Sequence, residues 1–172
     1  MITELEALLI HLADFNYKKN NLMVLLSGPE PQRTLLENKL LLELKNYPAK
    51  IVFVKGIVEQ EQTKEDFRNM SVYNFMTSNL LEKTINESAL IISRSGYTTI
   101  MDLAKLNKKA FFIPTPGQFE QEYLAKRLTE MFIVPSCNQD DFTLKKLNDA
   151  LSYKGLKTFD FEPNYKELFN LF

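Results

Sequence analysis

Residues 89–102 read Ala89-Leu90-Ile91-Ile92-Ser93-Arg94-Ser95-Gly96-Tyr97-Thr98-Thr99-Ile100-Met101-Asp102. The apolar run is of strand length, shows no polar alternation, and passes at once into a Ser/Gly/Thr turn that opens a helical stretch. That is the pattern of a buried strand feeding a helix. Such a junction aims several main-chain N–H groups, and the positive end of the helix dipole, at one point in space. The point suits an anion, most economically a phosphate or diphosphate. Asp102, one turn into the helix, is placed to accept hydrogen bonds from hydroxyls attached to that anion. Read alone, Thr99-Ile100-Met101-Asp102 also fits a near capping box that needs no ligand.

The same pattern recurs along the chain. Leu22-Met23-Val24-Leu25-Leu26, Ile51-Val52-Phe53-Val54 and Ala110-Phe111-Phe112-Ile113 are short and apolar on both faces, and helix-like sequence separates them. Weaker strands are expected at 72–75 and 132–134. Helices are expected at 32–46, 77–87, 98–106, 119–130 and 141–152, the first with an apolar leucine stripe and Glu37, Lys39, Glu43 and Lys45 on its wet side. The alternation predicts an α/β fold, a Rossmann-like open parallel sheet with helices on both faces and ligands beyond the carboxyl ends of the strands. Gly28, Gly56, Gly96 and Gly117 each follow a predicted strand, so they should line one sheet edge.

Residues 56–70 are polar and poorly periodic, which suggests a long surface loop. Residues 1–20 read as a linker or leading helix, 21–155 as the Rossmann-like domain, and 156–172 as an aromatic tail or helix carrying Phe159, Phe161, Tyr165, Phe169 and Phe172.

At 172 residues the chain is of one-domain size, and its 45% apolar content fits a folded protein. With 21 basic and 22 acidic side chains the net charge is −1, which offers no broad cationic field to nucleic acid or an anionic bilayer. Any anion must be held locally. A lone cysteine, Cys137, excludes an intrachain disulfide and a multi-cysteine zinc site, and a lone histidine, His11, gives little scope for a Ser-His-Asp or Cys-His centre. No apolar run is long enough to span a bilayer and no signal-peptide pattern opens the chain, so a cytoplasmic protein is expected, with membrane contact only indirect, through a partner.

A second loop falls on the same predicted edge: Pro114-Thr115-Pro116-Gly117-Gln118-Phe119-Glu120-Gln121-Glu122-Tyr123. A strand ends in a rigid Pro-x-Pro-Gly turn, and the next helix opens with Glu120, Gln121 and Glu122. Amides and carboxylates there can grip sugar hydroxyls beside a phosphate loop, or simply complement the helix dipole.

On these residues, 93–102 and 114–123, and on the strand order around them, residues 22–134 resemble the carboxyl-terminal, donor-binding domain of GT-B glycosyltransferases, in particular the MurG-like group of glycosyltransferase family 28. The resemblance implies a UDP-sugar donor. It places Ser95, Gly96, Tyr97, Thr98 and Thr99 at the diphosphate, largely through main-chain N–H, and Asp102 on the ribose diol. Gln121 would face the donor sugar beside Glu120 and Glu122, and Met76 would lie beside the uracil.

The first strand of such domains leads into a glycine-rich phosphate loop, here Ser27-Gly28-Pro29-Glu30-Pro31-Gln32-Arg33. Pro29 and Pro31 have no N–H to offer, so Gly28, Gln32 and Arg33 are the expected contacts. Arg94 would add a cationic contact, or else be held in a structural salt bridge. Asp102 stands where the family typically has Glu, and Glu122 where a second Gln is common.

Inverting glycosyl transfer needs a base near the acceptor hydroxyl. In the resembled enzymes that base belongs to an amino-terminal domain for which this chain has no room, so no catalytic residue is assigned here. The expected partner is a missing acceptor-binding domain or a second subunit, and neither a metal nor another cofactor is required. Two alternatives remain at this stage. The Ser-x-Ser-Gly-x-Thr run also fits a phosphosugar isomerase or sensor of the SIS type, and a non-catalytic subunit would keep the fold and use its aromatic tail for recruitment.

Overall fold

A computed structural model describes residues 22–57 and 59–157. The readings of 1–20, of His11 and of the aromatic tail from Phe159 onward lie outside the described residues. In chain order the elements are β1 (Leu22–Leu25), α1 (Gln32–Glu43), β2 (Ile51–Val54), β3 (Lys64–Phe67), β4 (Met70–Tyr73), α2 (Ser78–Glu87), β5 (Leu90–Ser93), α3 (Tyr97–Lys105), β6 (Lys109–Phe112), α4 (Phe119–Glu130), a 3-10 stretch (Leu144–Asn148) and the short α5 (Asp149–Ser152).

The strands form one sheet in the order β3-β4-β2-β1-β5-β6. Every pairing is parallel except β3 with β4. Period-two alternation divides the strand side chains between two cores. Leu22, Val24, Ile51, Phe53, Leu90, Ile92 and Phe111 meet Leu36, Leu40 and Leu44 of the α1 region, with Phe142, Leu147 and Ala150, on one face. Met23, Val52, Val54, Ile91, Ala110 and Phe112 meet Ile85 of α2, Ile100, Leu103 and Ala104 of α3 and Ala125 of α4 on the other. Both faces are covered, which explains why these strands read as continuous apolar runs rather than alternating ones.

The strand order also places the ligand edge. From β1 the chain moves outward through β2 to the β3–β4 hairpin, then returns to add β5 and β6 on the other flank. The direction reverses between β1 and β5, so their carboxyl ends border the crevice where open α/β sheets bind ligands. Loops 26–31 and 94–96 leave from those two ends.

The structure departs from the sequence reading in several places. Residues 56–70 contain β3, an edge strand with the sequence Lys-Glu-Asp-Phe, exposed throughout. It pairs through its backbone and has no apolar periodicity to reveal it, while its charges guard an open edge. Asn74, buried just after β4, anchors the loop by accepting from Thr63 N at 2.8 Å and donating to Glu61 O at 2.8 Å. No strand forms at 132–134; Phe132 takes a left-handed φ of 55° after α4 and stacks on Tyr153. The helix expected over 141–152 is a 3-10 stretch and one α turn. Glu37, expected on the wet side of α1, is buried between Arg33 (2.9 Å) and Lys55 (3.0 Å).

Gly56 is the glycine whose lack of a side chain the fold demands. Its φ is +71°, and an added Cβ would lie 2.3 Å from Leu26 O at the exit of β1. Gly56→Ala should therefore destabilise the protein by about 2–4 kcal/mol, combining a left-handed backbone penalty with overpacking. Urea unfolding checks this: the midpoint should fall with little change in slope.

Candidate functional site

The crevice is built around Arg94, the first residue after β5, which is only 1% exposed. Its guanidinium donates to Ile113 O (3.1 Å), Pro114 O (2.9 Å), Gln32 O (2.9 Å) and Gln139 Oε1 (2.7 Å). Those oxygens belong to the exit of β6, the first residue of α1 and the loop after α4. Burial pushes the guanidinium down to about 10, and it remains cationic at neutral pH. None of its hydrogen-bonding partners is a carboxylate. Arg94 therefore lies beneath the edge as a cationic clamp, neither a direct ligand contact nor half of a salt bridge, which corrects both sequence expectations for it.

Above it, α3 begins with Gly96 as N-cap and no side chain satisfies its first turn. The N–H groups of Tyr97, Thr98 and Thr99 open the helix toward the crevice, and Tyr97 and Thr98 are exposed. Gly96 has an ordinary negative φ of −68°, so its value is the space it leaves: the nearest atom to an added Cβ is Thr99 Oγ1 at 4.0 Å. Asp102 is exposed and lies four residues after Thr98 and three after Thr99, on their helix face. Ser95 is fully buried and its hydroxyl donates to Gln121 O at 2.7 Å. That bond joins the α3 junction directly to the start of α4.

The second loop is held by its own side chains. Gln121 Oε1 accepts from Thr115 N (2.9 Å) and its amide nitrogen donates to Gln118 Oε1. Glu122 Oε1 accepts from Gly117 N at 2.8 Å, closing the Pro-Gly turn. Of the acid-amide-acid run, Gln121 and Glu122 brace the loop, and Glu120 is exposed with no side-chain partner among the described residues.

The first loop differs more. Arg33 is buried, with its guanidinium on Glu30 and on Glu37 Oε2 (2.9 Å), so it does not point freely at the crevice. Glu30 also accepts from Thr34 N at 3.2 Å, and these bonds hold its carboxyl below the usual carboxylate range, the Thr34 hydroxyl contributing most. Gly28 is exposed with φ +105° and faces Thr115 across the edge. Met76 is half-buried at a groove of about 510 Å³ between α2 and the β3–β4 hairpin, lined also by Tyr73, Leu80 and Lys83.

Sequence reasoning missed Gln139, which is buried and bridges Arg94 to Gln32 Oε1 (3.1 Å). It is 45 residues from Arg94 along the chain, and no local pattern marks it. Thr115 was also missed; its hydroxyl is buried without a hydrogen-bond partner. Among the described residues no helix is long and apolar enough to cross a membrane, and no group of three or more His, Cys, Asp or Glu is arranged to hold a metal.

With this geometry in place, comparison with known families matches residues 31–166 to the glycosyltransferase family 28 C-terminal domain. The chain belongs to that family. Over 106 residues it is 30% identical to the UDP-N-acetylglucosamine--N-acetylmuramyl-(pentapeptide) pyrophosphoryl-undecaprenol N-acetylglucosamine transferase of Rhodopseudomonas palustris (strain BisB18), covering 56% of this chain and 28% of that enzyme. Among solved structures it is similar in fold to ALG13, with a TM-score of 0.57, 18% identity, and coverage of 87% of this chain and 94% of that one. It is likewise similar to Acinetobacter baumannii MurG, with a TM-score of 0.55, 20% identity, and coverage of 83% and 42%.

The family 28 domain thus spans well under half of the bacterial enzyme it matches in sequence. Family membership sets aside the phosphosugar-isomerase reading, which left the Pro114–Tyr123 segment without a role.

Replacing Arg94 tests its part as the clamp. Arg94→Met should lower stability by about 3 kcal/mol or more, because several buried carbonyl-type oxygens lose their donor. Arg94→Lys should recover only part of that, since an ammonium lacks the planar fork that reaches separated acceptors. Thermal and urea unfolding of both variants measure the difference.

Proposed function

We propose that this chain is the UDP-sugar-binding half of an inverting glycosyltransferase, with a UDP-N-acetylhexosamine as donor. One observation carries the reading. The α3 N-terminus opens at the topological switch point with no side-chain cap, while a buried cation lies beneath it. A diphosphate is the ligand class this arrangement fits, because helix-start N–H groups and the dipole together favour dense negative charge.

In this reading the diphosphate sits against the N–H groups of Tyr97, Thr98 and Thr99, and Asp102 accepts from the ribose hydroxyls. Gly96 keeps the approach open. Glu120 is the side chain assigned to the donor sugar, since Gln121 and Glu122 are engaged in the loop. As the glycosidic bond to the diphosphate breaks, fixed N–H donors and the positive field from Arg94 stabilise the growing charge on the leaving group. No metal is required for that step. The base that deprotonates the acceptor is assigned to an amino-terminal domain or a partner subunit, so the chain is proposed to be inactive alone. The choice of an N-acetylhexosamine is supported by the relatives' names, which describe N-acetylglucosamine transfer.

Calorimetric titration with UDP tests the nucleotide site. Wild-type protein should bind it, Gly96→Val should abolish binding by filling the cradle, and Asp102→Ala should weaken it by about 1–3 kcal/mol through loss of charge-assisted hydrogen bonds. Unchanged affinity in Asp102→Ala would remove the ribose assignment. Glu120→Ala separates nucleotide from sugar: affinity for UDP should stay as in wild type, whereas affinity for UDP-N-acetylglucosamine should fall about tenfold, the worth of a charged hydrogen bond. Equal losses for both ligands would count against the sugar contact.

A further inference from the structure

Two helices begin at the switch point, and they begin differently. The start of α3 is open. The start of α1 already holds an anion. Its N-cap is Pro31, which has no side-chain acceptor, and the preceding Glu30 supplies one instead. The Glu30 carboxylate lies on the Arg33 guanidinium and accepts from Thr34 N at 3.2 Å and from Thr34 Oγ1 at 3.0 Å. Its side chain nevertheless remains 54% exposed.

Arg33 and Lys55 are balanced by Glu30 and Glu37, and one further cation, Arg94, has no carboxylate partner. Arg94 donates to Gln32 O, so the first residue of α1 is bonded to the strand exit that leads into α3. The two helix starts therefore share one buried cation, whose Nε has no hydrogen-bond partner. The Thr115 hydroxyl, 2% exposed and also unpartnered, lies beneath Gly28, where an added Cβ would come within 3.7 Å of it. Arg33 would keep its orientation if Glu30 left, because it is also bonded to Glu37 Oε2 (2.9 Å) and Lys55 O (3.4 Å).

We propose that Glu30 is a resident stand-in for a ligand phosphate: its carboxylate occupies the α1 start and Arg33, and a diphosphate bound at the switch point must displace it. The proposal deepens the nucleotide reading by adding a competing internal anion to the same site. It makes Glu30 a residue that weakens binding while it caps the helix, so the two effects move in opposite directions on substitution. A merely structural cap would move them together.

The test is titration of wild-type, Glu30→Gln and Glu30→Ala proteins with UDP, inorganic pyrophosphate and uridine, together with thermal unfolding of each. The expected result is at least threefold tighter binding of UDP and pyrophosphate in both variants, no change for uridine, and a gain that shrinks as salt is raised. The Tm of Glu30→Ala should fall despite its tighter binding. A gain for pyrophosphate with no UDP binding in any variant would uphold Glu30 and remove the nucleotide reading. No gain for either anion, including no binding at all, or an equal gain for uridine, would overturn the role of Glu30.

Discussion

Arg94 ties together three parts of the chain that meet only in the folded state. A guanidinium taken out of water is costly unless its donors are paired, and here both terminal nitrogens are paired with carbonyl-type oxygens from the α1 start, the β6 exit and the loop after α4. The cost of an unfilled donor set forces those segments into one arrangement. Because none of the oxygens carries a full negative charge, the cation is held by hydrogen bonds at its two terminal nitrogens yet not neutralised. Its field reaches the crevice above it, where the two helix starts add their own positive ends.

Most polar side chains of the crevice loops are committed to the loops themselves. Ser95 joins α3 to α4, Gln121 holds Thr115 N, and Glu122 holds Gly117 N. This follows from burial: a loop packed against its neighbours must satisfy its main-chain groups from within. In the proposed reading, ligand recognition is then left to exposed main-chain donors and a few outward side chains, Asp102 and Glu120 among them.

The contrast between the two helix starts has the same origin. Gly96 brings no side chain, so α3 begins bare. The first loop instead places Glu30 one residue before an N-cap proline, within reach of the Thr34 N–H and of Arg33. One helix start thus has no side-chain cap, beside another capped by a neighbouring carboxylate. The difference is written in two short loops rather than in the sheet that carries them.

How much of this was legible in the sequence depends on the range of the interactions involved. Apolar runs bounded by turn residues identified β1, β2, β5 and β6, and the Ser-Arg-Ser-Gly-Tyr-Thr-Thr junction identified the helix start, because both signals are contained within about ten neighbouring residues. β3 escaped, since an edge strand held by backbone pairing shows no apolar period. The functions of Arg33 and Arg94 escaped for another reason. A cation looks the same in sequence whether it waits for a ligand or is already held, and the groups that hold Arg94 come from up to 62 residues away. The chain alone therefore determined the layered fold and the place where an uncapped helix start opens. Only tertiary packing decided which charges remain available there, because buried polar groups take whichever partners the folded chain brings within hydrogen-bonding distance.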